Sequence, residues 1–289
     1  MKIACLTYAG VDPETTDDAL LATLARARGH TLTWVQWDDA SVDLRKFDAA
    51  ILRSTWDYFQ RIPEFLIWLE RCESQGVRLF NPVSQVRWNL HKRYLLELER
   101  KGIPTAPLWV GTQGESTTLA AVVASLGTED VVVKPAISGG AWHTFRVLGM
   151  ADGEREAKFA EQLAARDVLV QAFLPEIAER GEWSLLYFGG RFSHAVLKRA
   201  RAGDFRVQHV HGGTIEAREA SAALRGLADR TMEVGAPDAL YARVDVVESA
   251  AGLRLMELEV IEPWLYFEQG PGSPERFLDA LELRVTAGS

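Results

Sequence analysis

Apolar and polar positions alternate in short blocks over the first eighty residues, and the period of the blocks switches. Ile3–Thr7, Thr31–Val35 and Ala49–Leu52 are brief apolar runs of strand length. Between them, Asp17–Arg28 carries Leu20, Leu21, Leu24 and Ala27 at helical spacing, with Gly29 placed to stop it. Pro63–Cys72 groups Phe65, Leu66 and Leu69 with Ile62 on one face, and Val77–Phe80 is another short strand. Strand–helix alternation at this spacing predicts a parallel sheet with helices on its faces.

Asn81-Pro82 ends that unit. Asn89–Lys101 predicts one helix, stopped by Gly102 and Pro104. Beyond Pro107 short strands with turn signals dominate: Val131–Lys134, Thr144–Leu148, Val168–Phe173, Ser184–Phe188 and Phe192–Lys198. One helix, about Gly153–Ala165, interrupts them. A strand pair, Tyr241–Val247 and Leu253–Ile261, and a helix near Pro274–Leu283 close the chain. There is no internal repeat and no low-complexity tract.

Composition narrows the class. The chain has 289 residues, 47% hydrophobic and 25% charged, the balance of an ordinary globular protein of two or three modest domains. Lys and Arg total 32 against 40 Asp and Glu, a net charge of −8, which argues against a nucleic-acid partner. No apolar run approaches the length of a membrane span, so no membrane partner is expected. Two cysteines, Cys5 and Cys72, exclude a disulfide framework and a CxxC metal knuckle. The N-terminal residues read as a buried strand and not as a signal segment, so a cytoplasmic setting is expected.

The common signatures G-x-G-x-x-G, G-x-x-x-x-G-K-[ST], HExxH and G-x-S-x-G are all absent. Chemistry gathers instead on the strand pair. Arg243 and Asp245 share one face of their strand, and Glu257 and Glu259 share one face of the next, opposite Met256, Leu258 and Val260. The short connection Glu248–Gly252 would set Asp245 roughly opposite Glu257 and Arg243 near Glu259. Three carboxylates on one patch repel each other, and two arrangements relieve them: a hard divalent cation, Mg²⁺ or Mn²⁺, or a solvated face with Arg243 as counter-ion. Lys134 follows the buried run Val131–Val133 and precedes Ser138-Gly139-Gly140, a small-residue turn that an anion can approach closely. Lys92 lies beside Leu90, Tyr94, Leu95 and Leu98.

In order, these residues resemble the ATP-grasp carboxylate–amine ligase superfamily over roughly residues 86–268. The matching phrases are His91-Lys92-Arg93 with Gly102–Pro107, Val133-Lys134-Pro135 with Ser138-Gly139-Gly140, Val170–Leu174, Gly181-Glu182-Trp183-Ser184, Lys198, Ala242–Asp245 and Met256–Glu259. Glu259 departs from the usual Asn and adds one negative charge. Arg53–Tyr58, Asn81-Pro82 with Arg87–Asn89, Phe192–Val196 and Glu257–Pro263 resemble a narrower group, the glutathione-synthetase-like proteins that include the O-ureido-serine cyclo-ligase of D-cycloserine biosynthesis.

The resemblance implies an α/β (α+β) ATP-grasp fold. Residues 1–85 would form a Rossmann-like parallel-sheet pre-domain, 86–172 a helix plus a small lid subdomain, and 173–289 a C-terminal antiparallel subdomain with the metal site. It implies ATP and Mg²⁺ (or Mn²⁺) as cofactors, with Asp245, Glu257 and Glu259 as metal ligands. Lys92, Lys134 and Lys198 would neutralise phosphates, and Gly140 would close over them. Gln171, Phe173 and Leu174 would hold adenine, and Glu182 ribose. Arg243, Lys134, Ser138 and Gly139 would be catalytic. Ser54, Thr55, Trp56, Asp57 and Arg206 are expected to meet an amino-acid-like substrate, with Trp264 nearby, while His209 and His211 are expected to be structural. Three activities stay open: an intramolecular cyclo-ligase, an intermolecular peptide ligase, and an ATP-binding protein without catalysis. A homodimer is compatible with all three.

Overall fold

The computed structural model describes residues 1–149, 152–199 and 213–287. Three sheets carry the molecule. The first is parallel and joins β1 (Lys2–Thr7), β2 (Thr31–Gln36), β3 (Ala49–Ser54) and β4 (Leu79–Phe80) in the order β2-β1-β3-β4. β1 is central, and alternation splits its side chains between two cores. Ala4 and Leu6 meet Phe65 and Leu69 of helix Ile62–Ser74. Ile3 and Cys5 meet Leu21 and Ala25 of helix Asp18–Ala27. The expected strand–helix alternation is therefore present, within a few residues at each boundary.

The second sheet is antiparallel: β5 (Leu108–Gly111), β6 (Asp130–Pro135), β7 (Phe145–Leu148) and β8 (Val168–Ala172), ordered β5-β8-β6-β7. Helices Leu119–Leu126 and Gly153–Ala165 cover one face, burying Val122, Phe159 and Leu163 against Val131, Val133 and Val170. The third sheet takes β9 (Glu182–Phe188), β10 (Arg191–Arg199), β11 (Thr214–Ala217), β12 (Tyr241–Ser249) and β13 (Gly252–Glu259) in the order β11-β10-β9-β12-β13. Its neighbouring strands are antiparallel throughout. Helix Ala222–Gly235 packs on its inner face through Leu224, Leu227 and Met232. Helix Ser273–Ala287 covers the other face and places Phe277 between the third sheet and the first. Full burial of one such ring stabilises by about 2–3 kcal/mol.

Three expectations need correction. The helix expected over Asn89–Lys101 is confined to Tyr94–Arg100; a separate helix, Val83–Leu90, ends inside the expected range, and the two are broken at His91–Arg93. The break has a cause: the Lys92 N–H leaves the helix ladder and donates to the Ala136 carbonyl at 2.8 Å. Helices Leu119–Leu126 and Ala222–Gly235 were not expected. The first is a run of Ala and Val that also reads as strand; the second contains Gly226 and Gly235. Their N-caps were the available signal, Thr118 Oγ1 accepting from Ala121 N–H and Ser221 Oγ from Leu224 N–H.

Candidate active site

The three sheets enclose a cavity of about 480 Å³. Its floor is the β12–β13 ladder. Asp245 pairs with Glu257 and Arg243 with Glu259, as the alternation predicts. The route to that register is different. The turn is tight, with Ser249 opposite Gly252, and a register shift between Asp245 and Val246 admits one extra residue on β13. That bulge turns Met256 into the cavity beside Glu257, not to the opposite face. Leu255 and Leu258 take the buried side.

The floor is a network of fixed charges. Arg243 Nε lies 3.0 Å from Asp245 Oδ1, Nη2 lies 3.0 Å from Oδ2, and Nη2 also pairs with Glu259. Lys198 Nζ sits 2.5 Å from Glu182 and 3.3 Å from Asp245, and Ser184 Oγ donates to Asp245 at 2.5 Å. Burial alone would raise Asp245; Arg243 and Lys198 outweigh it and hold the carboxyl at about 2. Burial pushes Glu259 up to about 7, because Arg243 opposes it only partly and Glu257 and Asp245 add repulsion. For Lys198 burial favours the neutral form, but Asp245 and Glu182 keep it charged. Glu182 reaches Lys198 from a close turn: a Cβ at Gly181, φ +94°, would stand 2.4 Å from the Lys198 carbonyl oxygen.

Lys92 rises from the helix break into the same space. Its Nζ donates to the Ser138 carbonyl at 3.0 Å and pairs with Glu257 at 3.0 Å. Glu257 is thereby lowered despite burial, with Lys134 assisting. Burial also lowers the Lys134 ammonium, which forms no ion pair among the described residues. Ser138, Gly139 and Gly140 line the cavity as a flap. Phe59 of the first unit presses on it: a Cβ at Gly139 would lie 2.9 Å from Phe59 Cε1, and the Phe59 and Trp142 rings are 5.7 Å apart.

Gln171 and Phe173 line the far end of the cavity, and Leu174 does not. Gln171 Nε2 is buried with no hydrogen-bond partner among the described residues. Of the residues expected to meet substrate, Trp56 lines the cavity and stacks on Trp264 at 5.8 Å and 15°. Ser54 is fully buried and donates to Thr7 Oγ1 at 2.8 Å. Thr55 is buried away from the cavity, and Asp57 accepts from Trp37 Nε1 and pairs with Arg61. Arg206, His209 and His211 lie outside the described residues. Sequence reasoning gave no role to Tyr58, Phe59, Glu262 and Tyr266, all of which line the cavity.

Among the described residues no three His, Cys, Asp or Glu side chains converge as a ready metal cage. The cause is visible in the ion pairs: Asp245, Glu257 and Glu259 each lean on a lysine or arginine. The donor set is nevertheless oxygen-only and faces the cavity, which fits a hard cation that takes its remaining ligands from phosphate. The orphaned Gln171 Nε2 and the unpaired Lys134 fit a nucleotide in the same space.

Comparison with known proteins shows the family. The D-cycloserine synthetase DcsG N-terminal domain family matches residues 3–81. The prokaryotic glutathione synthetase ATP-grasp domain family matches residues 112–265. The cycloserine biosynthesis protein DcsG of Streptomyces lavendulae is 31% identical over 299 residues, spanning 98% of each chain. A glutathione synthetase of Neisseria meningitidis serogroup A is 27% identical over 234 residues, covering 78% of this chain and 68% of that one. The crystal structure of D-cycloserine synthetase DcsG superposes with a TM-score of 0.87 at 29% identity, over 99% of this chain and 100% of that one. D-alanine–D-alanine ligase from Bacillus anthracis shares the fold, with a TM-score of 0.73 at 16% identity over 100% of both chains. Members of this family use ATP with a divalent metal to join a carboxylate to an amine. The chain belongs to the ATP-grasp ligases, in the group that joins a DcsG-type N-terminal domain to a glutathione-synthetase-type ATP-grasp domain, and is an enzyme that forms C–N bonds.

Proposed function

We propose that the enzyme activates the carboxylate of a small amino-acid-like substrate as an acyl phosphate and closes it onto a side-chain nitrogen of the same molecule (the oxygen-bound ureido nitrogen in O-ureido-serine), as a cyclo-ligase. The observation that carries this reading is one cavity of about 480 Å³ holding Lys92, Lys134 and Lys198, the Ser138–Gly140 flap, the carboxylate floor and the Trp56–Trp264 wall together. Such a space suits a nucleotide tail and one small substrate. The full-length likeness to DcsG points the same way and makes O-ureido-serine the first candidate.

Asp245, Glu257 and Glu259 are the proposed oxygen ligands of Mg²⁺ or Mn²⁺, which would bridge the phosphates and neutralise their charge. Lys92, Lys134 and Lys198 assist that neutralisation. Gln171 and Phe173, with Leu174 behind them, seat the adenine, and Glu182 the ribose. Arg243 stabilises the oxyanion formed when that nitrogen attacks the activated carboxyl carbon; the phosphate then leaves and the nitrogen loses a proton. Ser138, Gly139 and Gly140 close the cavity, which keeps the acyl phosphate from water.

The test is turnover with Mg²⁺-ATP and a panel of amino acids that includes O-ureido-serine of both hands, reading ADP and product mass. ADP with a product equal to a single substrate less one water, or less one water and the carbamoyl group of O-ureido-serine, supports a cyclo-ligase. A product of two substrates less one water would replace this reading with a peptide ligase of the glutathione-synthetase kind. No ADP with any panel member, with ATP bound, would overturn O-ureido-serine as the substrate and leave the ATP-grasp fold standing.

A further inference from the structure

Among the described residues the charged side chains around the cavity pair off, with two exceptions. Lys92 holds Glu257, Lys198 holds Glu182 and Asp245, and Arg243 holds Asp245 and Glu259. Lys134 is one exception, and its cation belongs with the phosphates. Glu262 is the other: among the described residues it forms no ion pair, although it is half-buried and lines the cavity. Its polar neighbour is the Tyr58 hydroxyl, itself 5% exposed. Burial, with Glu259 adding repulsion, pushes Glu262 up to about 8, so it resists ionisation while it lacks a counter-charge; a ligand of opposite sign removes that cost and restores the carboxylate.

The walls beside it suit a cation. Trp56 and Trp264 stack at 5.8 Å, and both line the cavity with Glu262. Indole faces attract ammonium groups, most of all where water is excluded. The loop is also held in place before any ligand arrives. Trp56 Nε1 donates to the Glu262 carbonyl at 3.3 Å and Arg53 Nη2 to the Pro263 carbonyl at 3.2 Å. Arg243 Nη1 reaches the Trp264 carbonyl at 3.4 Å, and Asp17 Oδ2 accepts from Leu265 and Phe267 N–H at 3.1 and 3.2 Å. A subsite clamped along this stretch loses little freedom on binding.

We propose that Glu262, braced by Tyr58 and walled by Trp56 and Trp264, binds a protonated amine on the substrate and so selects amino-bearing carboxylates over their deaminated counterparts. The assignment rests on the ligase reading above for the identity of the cavity. Glu262 is a specificity-determining residue in this scheme. It holds the ammonium while the carboxylate is activated and takes no part in the bond changes, so its loss weakens binding more than it slows the bound complex.

Two probe pairs test it: O-ureido-serine against 3-(ureidooxy)propanoate, and serine against 3-hydroxypropanoate. Binding is read by tryptophan fluorescence and by calorimetry, with Mg²⁺ and a non-hydrolysable ATP analogue present. In at least one pair the amine-bearing probe should bind about 10- to 100-fold more tightly, the value of one charge-assisted contact. Glu262→Gln should shrink the preference to within about threefold, and Tyr58→Phe should reduce it in part. Wild-type protein that treats both members of each pair alike, or Glu262→Gln that keeps the preference, overturns the proposal. If Glu262→Gln fails to fold, an unaltered preference in Tyr58→Phe overturns it equally. A preference seen without ADP release from O-ureido-serine upholds the subsite and defeats the cyclo-ligase reading. Cyclic product made with no preference does the reverse.

Discussion

Lys92 and Glu257 pair at 3.0 Å across the cavity, joining a break between two helices to the floor strand. The same ammonium holds the Ser138 carbonyl of the flap. One cation thus sets the distance between flap and floor. Lys92→Met should weaken Mg²⁺-ATP binding at least about 10-fold, since hydrogen bonds to charged groups are worth about 1.5–3 kcal/mol. Calorimetric titration with a non-hydrolysable analogue measures this, and wild-type affinity would remove Lys92 from the site.

Glu257→Gln keeps the shape of the side chain and removes its charge. Turnover should be lost, with ADP release falling at least about 100-fold, while the melting temperature stays within a few degrees of wild type. Retained turnover would refute the proposed metal role of Glu257.

Flap closure depends on the missing side chain at Gly139. Gly139→Ala would bring a methyl group to 2.9 Å from the Phe59 ring and push the flap outward. The expected result is ATP hydrolysis without product, read as a rise in the ratio of ADP to product. Adding Phe59→Ala should restore part of the coupling. If the double variant is no better than the single one, the two residues do not meet during closure.

His194 predicts an acid-sensitive fold. Burial pushes its imidazole from 6.5 down to about 4, with Arg276 adding repulsion against the backbone carbonyls that oppose it. Nε2 lies 3.1 Å from the carbonyls of both Leu265 and Tyr266, and Nδ1 lies 2.9 Å from Ser193 Oγ. The folded state therefore prefers the neutral ring. Its contribution is present above pH 6.5 and is lost as pH falls toward 4, by at most about 3 kcal/mol. Urea midpoints measured between pH 7 and 4 should fall less steeply for His194→Gln than for wild type. Equal slopes would show that His194 does not titrate differently on unfolding.

Asn81 ties the first unit to the third sheet. Its Nδ2 donates to the Tyr241 and Val260 carbonyls at 2.8 and 2.7 Å, and its Oδ1 accepts from Leu240 N–H at 2.5 Å. Asn81→Ala would leave three buried backbone groups unsatisfied, at about 1–3 kcal/mol each. We expect a loss above about 3 kcal/mol in one cooperative urea transition; two separate transitions would mean that the units fold independently.

Much of the floor was legible in the sequence because strand alternation is local. Arg243, Asp245, Glu257 and Glu259 could be put on one face from their spacing alone. The bulge that sets their register, and brings Met256 with them, follows from a tight turn two residues long that spacing did not distinguish from a five-residue loop. The helix break at Lys92 was hidden because its cause is a carbonyl at Ala136, far along the chain. Glu262 was hidden for a similar reason. Its neighbour Tyr58 belongs to the first unit, and no periodicity links positions so distant. Ser54 and Asp57 show the converse: a polar cluster after a strand end reads as a ligand crevice, yet here it fastens Thr7, Trp37 and Arg61.

The backbone that carries Glu262 and Trp264 is gripped by Asp17, Arg53 and Trp56, which come from the opposite end of the chain. Substrate preference is therefore a shared property of two segments that recombination can easily separate. An exchange of the first eighty residues between related enzymes would leave every phosphate-facing group in place and still loosen the selectivity loop. Lineages in this family that change substrate are expected to alter both segments in step.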